Sequence, residues 1–576
     1  SMNGRPWIRA YGCCQLWRAA LLPRALLRGF TPSNELRYMS IADEALREGH
    51  WFAFYHQGVP YADKPPLYLW LVMLGRWLFG DGCMGFLSLF SILPGLGIVA
   101  VMDRWVRGGG EEADGLGLPR RRAGQWMLLT TAFFAGGMVV LRMDMLMSLF
   151  IVLALRVFYR IYEGREKAGD RWWFPLLVFM ALFTKGPYGV MIPVAGAMAF
   201  LLVERCGKTY RRGLWRRCFG WLFWLVLLSL SGLWWGMVYA EGGYDYLHNL
   251  LFNQTVHRAV DSFSHKRGFF YYFWSFGHAA APWSLLYVAV LLTALGARFR
   301  RWPASDTAAV AVGGTALPRF FLTVFLTSLL MLSCVSAKLE VYLLPVYPFV
   351  VYYVLLRMPR WEGKVWARLL VSVPLLALTS ALPAVLCLPS RIPSLSLLQG
   401  FSIYIAAAVL TAGGLWGWWL LWRRRDTAGT VRTVGLALFV AVFFGAFRLP
   451  ALNPYMGYGA LARAGRDLVA EQRMPNAEAL VWDDPAVAYG AYRVRRAVGM
   501  AAYVKQPVRE IQRWDEVQAM TGAGRPLLMF IGSGALAAEP AVASACAGRP
   551  QRAVGPYTAV WFGTQTEDME TEGGRP

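Results

Sequence analysis

Residues 83 to 103 have the sequence CMGFLSLFSILPGLGIVAVMD, and stretches of this kind decide the fold class. A helix needs about 17 to 25 mainly apolar residues to cross the hydrocarbon core of a bilayer. Similar segments recur as far as about residue 447, at 124 to 141, 145 to 163, 172 to 185, 187 to 203, 219 to 240, 276 to 297, 319 to 335, 341 to 357, 367 to 389, 398 to 422 and 433 to 447. The sequence therefore predicts an α-helical polytopic membrane protein.

The composition of the chain agrees with a membrane location. Of its 576 residues, 57% are apolar and only 16% are charged, with a mean hydropathy of +0.39, whereas an ordinary soluble chain carries more charge. A formal net charge of +23 could indicate a nucleic-acid partner. The basic residues, however, form short clusters between apolar stretches, as topology signals do. We therefore expect membrane lipid around the chain and no nucleic acid.

The basic clusters also predict the orientation. We interpret Trp7 to Leu22 as one further crossing rather than a cleaved signal peptide, because its apolar core is broken by Arg9 and Arg18 and no small-residue cleavage site follows. About thirteen crossings then put six basic loops in the cytoplasm. These loops lie at residues 104–122, 160–171, 205–217, 298–301, 357–368 and 423–425. The loops between them face the outside, which is the periplasm of a Gram-negative inner membrane.

The composition changes at about residue 448. A helix-like segment, Tyr458 to Glu471, is followed by strand-like Ala479 to Trp482 and Pro526 to Ile531, with Gly- and Pro-rich turns between them. We therefore divide the chain into a transmembrane domain, 1–447, and a small α/β domain, 448–576, on the periplasmic side.

Segment 31–80, TPSNELRYMSIADEALREGHWFAFYHQGVPYADKPPLYLWLVMLGRWLFG, is the most informative loop. Apolar residues recur at helical spacing from Glu35 to Glu48, which predicts a helix lying on the membrane surface. A second helix is predicted from the Pro65-Pro66 pair to about Phe79, because proline is favoured at the first helical position. Lys64 is thereby held at a helix start. Taken singly, each charged residue here is more simply explained as solvating an interfacial helix.

Charged residues also occur at the other predicted outward turns. The carboxylates and cations at these turns would form a thin layer at the membrane surface, which suits an enzyme that receives a lipid phosphate. Arg or Lys would bind the phosphate, and a carboxylate would orient or deprotonate an acceptor. Any one of these residues could equally be a surface or helix-end residue without a catalytic role. The residues at these predicted outward turns are Arg142 and Asp144, Lys185, the loop residues Gln254, Arg258 and His265, and the pair Lys338 and Tyr342.

In motif order, the chain resembles the bacterial aminoarabinose transferase and protein mannosyltransferase superfamily, which has the GT-C fold. The resemblance covers roughly residues 31 to 350. It rests on Asn34-Glu35-x-Arg37-Tyr38, Tyr61-x-Asp63-Lys64-Pro65-Pro66-Leu67, Asp144, Lys185-Gly186-Pro187, Gln254-Thr255-Val256-x-Arg258, Pro282-Trp283 and Lys338-Leu339-x-x-Tyr342.

The resemblance implies an inverting glycosyltransferase that takes a sugar from a polyprenyl phosphate, usually undecaprenyl phosphate in bacteria. The acceptor would be lipid A, another envelope molecule or a protein. The implied acidic site residues are Glu35, Asp63 and Asp144. The implied donor-phosphate ligands are Arg37, Lys64, Arg258, Tyr342 and Lys338. Further site candidates are Asn34, Tyr38, Tyr61, Lys185, Gln254 and His265.

Asn34 departs from the pattern, because many relatives have Asp at this position. An amide cannot act as a base, so that role passes to Glu35 or Asp144, or the acceptor is already an anion such as a lipid A phosphate. The sequence leaves the use of a divalent metal ion open, since it shows no diagnostic ligand spacing and its eight cysteines form no CxxC pair. A secondary transporter is the alternative class, but it should show mid-membrane charges and two matching halves with broken helices, and the spans show neither.

Overall fold

The structure is a computed structural model. It describes residues 21, 23–29, 35–108, 116–204, 207–252, 267–300, 316–335, 338–392, 396, 399–474, 476–487, 492–494 and 497–563. The chain divides into two compact units. We call the first, which contains the described parts of Ser1–Ala25, Ala62–Tyr68 and Gly85–Phe447, the helical unit. The second contains Leu26–Tyr61, Leu69–Met84 and Arg448–Pro576, again where described, and we call it the mixed unit.

Two helices joined through a short hairpin follow the helical residues 23–27. Helix α1 is Glu35–Glu48, strands β1 and β2 are Tyr55–His56 and Val59–Pro60, and α2 is Pro66–Phe79. Both helices have the bounds that the sequence predicts. Glu44 of α1 holds the hairpin, because its carboxylate accepts hydrogen bonds from the backbone N–H groups of Gln57 (2.6 Å) and Gly58 (2.8 Å).

A long run of helices follows. In chain order these are α3 Met84–Arg107, α4 Leu118–Thr130, α5 Ala132–Val139, α6 Asp144–Tyr162, α7 Asp170–Lys185, α8 Tyr188–Val203, α9 Lys208–Phe219, α10 Trp221–His248, α11 Tyr271–Ala279, α12 Ser284–Arg300, α13 Ala316–Cys334, α14 Tyr347–Leu356, α15 Met358–Trp361, α16 Val365–Thr379, α17 Ala381–Arg391, α18 Phe401–Trp419 and α19 Thr427–Ala446. Each predicted span from 83 to 447 coincides with helix, and the predicted crossing at Trp7 to Leu22 lies almost wholly outside the described residues.

Within the described residues, six helical segments are long and apolar enough to cross a membrane, or seven if the bent pair α16 and α17 is one span. Shorter apolar helices account for further predicted crossings, at Tyr188–Val203, Ser284–Ala294 and Glu340–Leu356. The chain is therefore a multi-pass helical membrane protein, as the apolar segments predict.

Two predicted spans are each broken into two helices. Thr131, with extended backbone angles, separates α4 from α5, and Pro282, which has no N–H to donate, separates α11 from α12. Groups at one break form hydrogen bonds with groups at the other. The Ala132 N–H donates to the Ala281 carbonyl (2.7 Å), and Trp283 Nε1 donates to Thr130 Oγ1 (2.8 Å). Freed backbone groups inside a bilayer need such partners.

The predicted span 367 to 389 is also interrupted, and α16 and α17 are bent by 51° at Ser380. Hydroxyl groups compete for the backbone here: Thr379 Oγ1 donates to the Leu375 carbonyl (2.9 Å), and Ser380 Oγ donates to the Ala377 carbonyl (2.9 Å). The N–H of Leu382, released by the bend, donates to Thr411 Oγ1 (3.0 Å). Side-chain bonds of this kind bend helices.

The C-terminal part of the mixed unit contains a five-stranded sheet of order β4-β3-β5-β7-β6. Strands β4, β3 and β5 are parallel, and β7 and β6 are antiparallel to their neighbours. Strand β5 is fully buried, as expected where a sheet is covered on both faces. The elements are α20 Leu449–Met456, α21 Gly459–Glu471, β3 Glu478–Trp482, α22 Ala501–Val504, β4 Val508–Ile511, α23 Trp514–Gly522, β5 Leu527–Gly532, α24 Gly534–Ala538, α25 Pro540–Cys546, β6 Gln551–Val554 and β7 Tyr557–Phe562.

A buried arginine ties α1, α2 and the C-terminal segment together within the mixed unit. The guanidinium of Arg76 donates to both carboxylate oxygens of Asp43 (2.7 and 2.6 Å) and to Asp81 (3.0 Å). Asp81 also pairs with Lys505 (3.3 Å) and Arg466 (3.2 Å). Only 2% of the Arg76 side chain is exposed, so these bonds offset a large desolvation cost.

Candidate active site

Asp144 lies at the centre of a buried group of charged and aromatic side chains in the helical unit. It is the first residue of α6, and 3% of its side chain is exposed. Arg142 Nε donates to its Oδ2 (3.0 Å), and the ammonium of Lys185 contacts its Oδ1. A buried carboxylate needs such partners, because burial without them is costly. The structure thus joins two predicted outward turns into one site.

Lys185 reaches Asp144 because of the turn that ends α7. Gly186 has φ +109°, in the region that favours glycine, and its N–H donates to the Leu182 carbonyl (2.7 Å). Gly189 lets α8 pack directly against α7, since a Cβ there would lie 2.3 Å from the Ala181 backbone. The sequence Lys-Gly-Pro therefore marks a tight turn, as predicted.

Two tyrosines complete this group. The rings of Tyr188 and Tyr342 are stacked with centroids 4.1 Å apart, and Lys185 Nζ lies 4.7 Å from the Tyr342 ring centroid. We call Arg142, Asp144, Lys185, Tyr188 and Tyr342 the Asp144 cluster. Tyr188 was missed in the sequence, where it was assigned only to the next crossing. Its position directly after Lys185-Gly186-Pro187 was the available signal.

Asp63 and Lys64 lie in the same unit. Lys64 Nζ is 3.0 Å from Asp63 Oδ2, and both side chains are 18% exposed. Because the charges of Asp63 and Lys64 cancel in this pair, the net charge of the site comes from the Asp144 cluster, where two cations, Arg142 and Lys185, contact one carboxylate. The site carries a net positive charge and suits an anionic ligand.

The ammonium group of Lys338 is hydrogen-bonded to the protein backbone in this structure. Its Nζ donates to the Arg267 carbonyl (3.0 Å) and to the Val335 carbonyl, and the residue is 3% exposed. The neighbouring Leu339 carbonyl accepts from the Tyr272 hydroxyl (3.2 Å). These bonds hold the segment that leads to Tyr342. In this structure Lys338 therefore fixes the backbone that positions Tyr342.

The mixed unit holds four further predicted residues, Glu35, Arg37, Tyr38 and Tyr61. Glu35 is fully buried and forms two hydrogen bonds with Arg28, at 2.6 and 3.1 Å. The guanidinium of Arg37 lies 5.9 Å from the Tyr61 ring centroid. Burial first, and the charge of Arg37 second, lower the pKa of His56 below its usual value. Tyr38 is buried on α1. Arg28, seven residues before Glu35, was not identified in the sequence.

The predicted candidates Asn34, Gln254, Arg258 and His265 lie outside the described residues. Among the residues that the structure does describe, no three His, Cys, Asp or Glu side chains are grouped so that they could hold a metal ion.

The fold places the chain in a class, that of proteins with the GT-C fold. The chain has the fold of ArnT from Cupriavidus metallidurans. The structure of ArnT bound to undecaprenyl phosphate matches this chain with a TM-score of 0.68, over 97% of this chain and 98% of the ArnT chain, at 16% sequence identity. The apo structure matches with a TM-score of 0.67 at 17% identity. The predicted fold class is confirmed.

Several known proteins also resemble this chain in sequence. An undecaprenyl phosphate-alpha-4-amino-4-deoxy-L-arabinose arabinosyl transferase of Edwardsiella ictaluri is 29% identical over 248 residues, which is 42% of each chain. A transferase of the same name from Pseudomonas fluorescens is 25% identical over 336 residues, 56% of this chain and 53% of that one. The chain spans about half the length of the curated relatives it matches. No family model matches. The resemblance expected from the motifs is confirmed.

Proposed function

We propose that this protein is an inverting glycosyltransferase that moves a sugar from undecaprenyl phosphate to lipid A or another cell-envelope acceptor. The observation that carries the proposal is the Asp144 cluster, in which two cations hold a buried carboxylate, on the fold of ArnT. The names of the sequence relatives support the donor class.

The chemistry follows from the charges. As the bond between the anomeric carbon and the phosphate oxygen breaks, its electron pair stays on the phosphate, and positive charge develops on the sugar. Cations near the departing phosphate stabilise it, and we assign this role to Arg37, Lys64 and Arg258, with Tyr342. The acceptor oxygen attacks the opposite face of the anomeric carbon, which inverts its configuration.

Asp144 is the better supported of the acidic residues. Both oxygens of Glu35 are held by Arg28, so Glu35 could take a proton only by breaking that pair. Asp144 is held at each oxygen by a different cation. We propose that Asp144 positions Arg142 and Lys185 and that these two cations orient the acceptor.

The acceptor is proposed to be an anion. Asn34 offers no base, and a phosphate of lipid A needs none because it is already ionised. A Ser or Thr hydroxyl of a protein is the alternative acceptor with the same donor, and its proton would have to pass to Asp144 or Glu35.

We propose that the site and the 448–576 domain face the periplasm from the inner membrane. The support is the distribution of Arg and Lys among the loops. In this orientation, both the lipid-linked donor and lipid A would reach the site from the outer leaflet.

Two measurements test the function. Purified protein in lipid vesicles is incubated with undecaprenyl phosphate-linked aminoarabinose and lipid A, and release of undecaprenyl phosphate is followed with wild type and with Asp144→Asn. The masses of lipid A and of periplasmic glycoproteins are then compared between cells with and without the gene. A lipid A mass shift supports the proposal, a glycoprotein shift supports the alternative, and no donor turnover with neither mass shift would refute both.

A further inference from the structure

A second charged region lies at the opposite, N-terminal ends of α7 and α10, away from the Asp144 cluster. Here a surface cavity of about 540 Å³ is lined by Glu166, Lys167, Arg171, Trp172, Trp221 and Leu222. The cavity therefore combines cationic and aromatic walls. The proposed glycosyl transfer makes no use of it.

The loop that carries Lys167 has a fixed conformation. Asp170, which is buried, accepts two hydrogen bonds from Arg160 (3.0 and 2.7 Å) and one from the Lys167 N–H (2.9 Å). Gly169, with φ +93°, makes the turn into α7. Because these bonds fix the backbone beside the cavity, only the side chains at its rim must be ordered by a ligand.

The charge of the cavity rim favours an anion. Arg171 shares one hydrogen bond with Glu166 (3.0 Å) and is half exposed, so several of its donor groups face solvent. Lys167 is exposed. The lining residues thus include two cations, Lys167 and Arg171, and one carboxylate, Glu166. Two cations against one carboxylate leave a net positive rim.

The walls indicate where the anion comes from. Trp172 and Trp221 are 56% and 76% exposed, and each lies in the first turn of an apolar helix. Tryptophan at this position is typical of the level of lipid headgroups. Leu222 adds apolar surface to the cavity lining. A free phosphate would make no favourable contact with these aromatic and apolar side chains. A phospholipid presents a phosphate to the cations and an acylated glycerol to the tryptophans and the leucine.

We infer that this cavity binds the headgroup of an anionic phospholipid. Lys167 and Arg171 contact the phosphate, and Trp172, Trp221 and Leu222 contact the glycerol and the upper acyl chains. Basic pockets between membrane helices bind anionic lipids in this way. The inference does not depend on the proposed glycosyl transfer, because it rests only on the cavity and on the membrane fold.

The test uses the full chain purified in a neutral detergent. Native mass spectrometry measures the Kd for phosphatidylglycerol and for phosphatidylcholine. The variant Lys167→Ala/Arg171→Ala is compared with Lys208→Ala/Arg212→Ala, which removes the same charge from exposed residues of α9 outside the cavity lining. We expect the first variant to raise the Kd for phosphatidylglycerol at least tenfold and the second to leave it within twofold. Trp221→Ala should also weaken binding.

Equal affinity of both double variants, or equal binding of phosphatidylcholine, would overturn the inference. Competition by millimolar glycerol 1-phosphate would show that a soluble anion is bound and would also overturn it. Lys167→Gln and Arg171→Gln, made singly, give the same comparison if the double variant does not fold. Folding is checked by melting temperature without added lipid, which should match that of the wild type.

Discussion

Asp144 and Lys185 form an ion pair in which 3% and 4% of the two side chains are exposed, between the first residue of α6 and the last residue of α7. Each residue begins or ends its helix, so the pair lies where the helices meet their turns and not in the middle of either helix. Arg142 binds the second oxygen of the same carboxylate.

The first prediction separates the stability role of this pair from its role in transfer. Lys185→Met should destabilise the protein by about 1 to 3 kcal/mol, because one oxygen of a buried carboxylate loses its partner. Adding Asp144→Asn should restore most of the melting temperature, since removing both charges avoids an unpaired ion. Transfer should stay at least a hundredfold below wild type in the double variant. If the double variant recovered transfer together with stability, Asp144 would have only a structural role.

Glu35→Gln should lower the transfer rate only modestly, by less than about tenfold, because general-base catalysis contributes more than that where it operates. The physical reason is that both Glu35 oxygens are held by Arg28, and a phosphate acceptor needs no base. Single-turnover rates with saturating donor give the measurement. A collapse of the rate with normal donor binding would instead favour a protein hydroxyl as acceptor.

Lys64→Ala and Arg258→Ala should each abolish transfer in protein that still inserts and folds. Each removes a charge-assisted hydrogen bond to the buried leaving phosphate, worth about 1.5 to 3 kcal/mol or more. Lys505→Ala is the matched control, because Lys505 also pairs with an aspartate but lies in the mixed unit on Asp81. If either Lys64→Ala or Arg258→Ala had wild-type activity, the substituted residue would not be a ligand of the donor phosphate.

Asp81 should make stability fall at low pH. Burial acts to raise the pKa of Asp81, but the hydrogen bond from Arg76 and the charge of Lys505 outweigh burial and lower it. A lowered folded pKa means that this contribution is present above the unfolded value of about 3.9 and is lost as the pH falls through the folded pKa. Asp81→Asn should melt below wild type at pH 7, and the difference should shrink below pH 4. A constant difference would refute the coupling.

The orientation is tested by cysteine labelling from outside the cell. Cysteines introduced near residues 57, 261 and 500 should react with an impermeant reagent, and those near 115, 212 and 425 should react only after the membrane is permeabilised. The expectation follows from the basic loops, which resist translocation. External labelling near residue 212 would reverse the proposed topology.

The sequence by itself determined where the helices lie. An apolar stretch long enough to cross a bilayer must be helical, because its backbone groups have no water to bond, and α3, α6 and α7 begin and end within a few residues of the predicted bounds. Local chemistry also located the turns: Pro66 begins α2, and Lys185-Gly186-Pro187 ends α7. Strands β4, β6 and β7 were missed. Strands β4 and β6 are short and partly exposed, with no clear alternation, and β7 is a short buried run whose pattern does not distinguish strand from helix.

Only the tertiary structure decided which of these residues meet. Asp144 and Lys185 are 41 residues apart, and their contact depends on the close packing of α6 on α7. The pairing of Glu35 with Arg28 and the stacking of Tyr188 on Tyr342 were likewise absent from the motifs. Hydrophobic length and turn chemistry act over a few neighbouring residues, whereas the partner of a buried charge is selected by packing between distant helices, which no local pattern encodes.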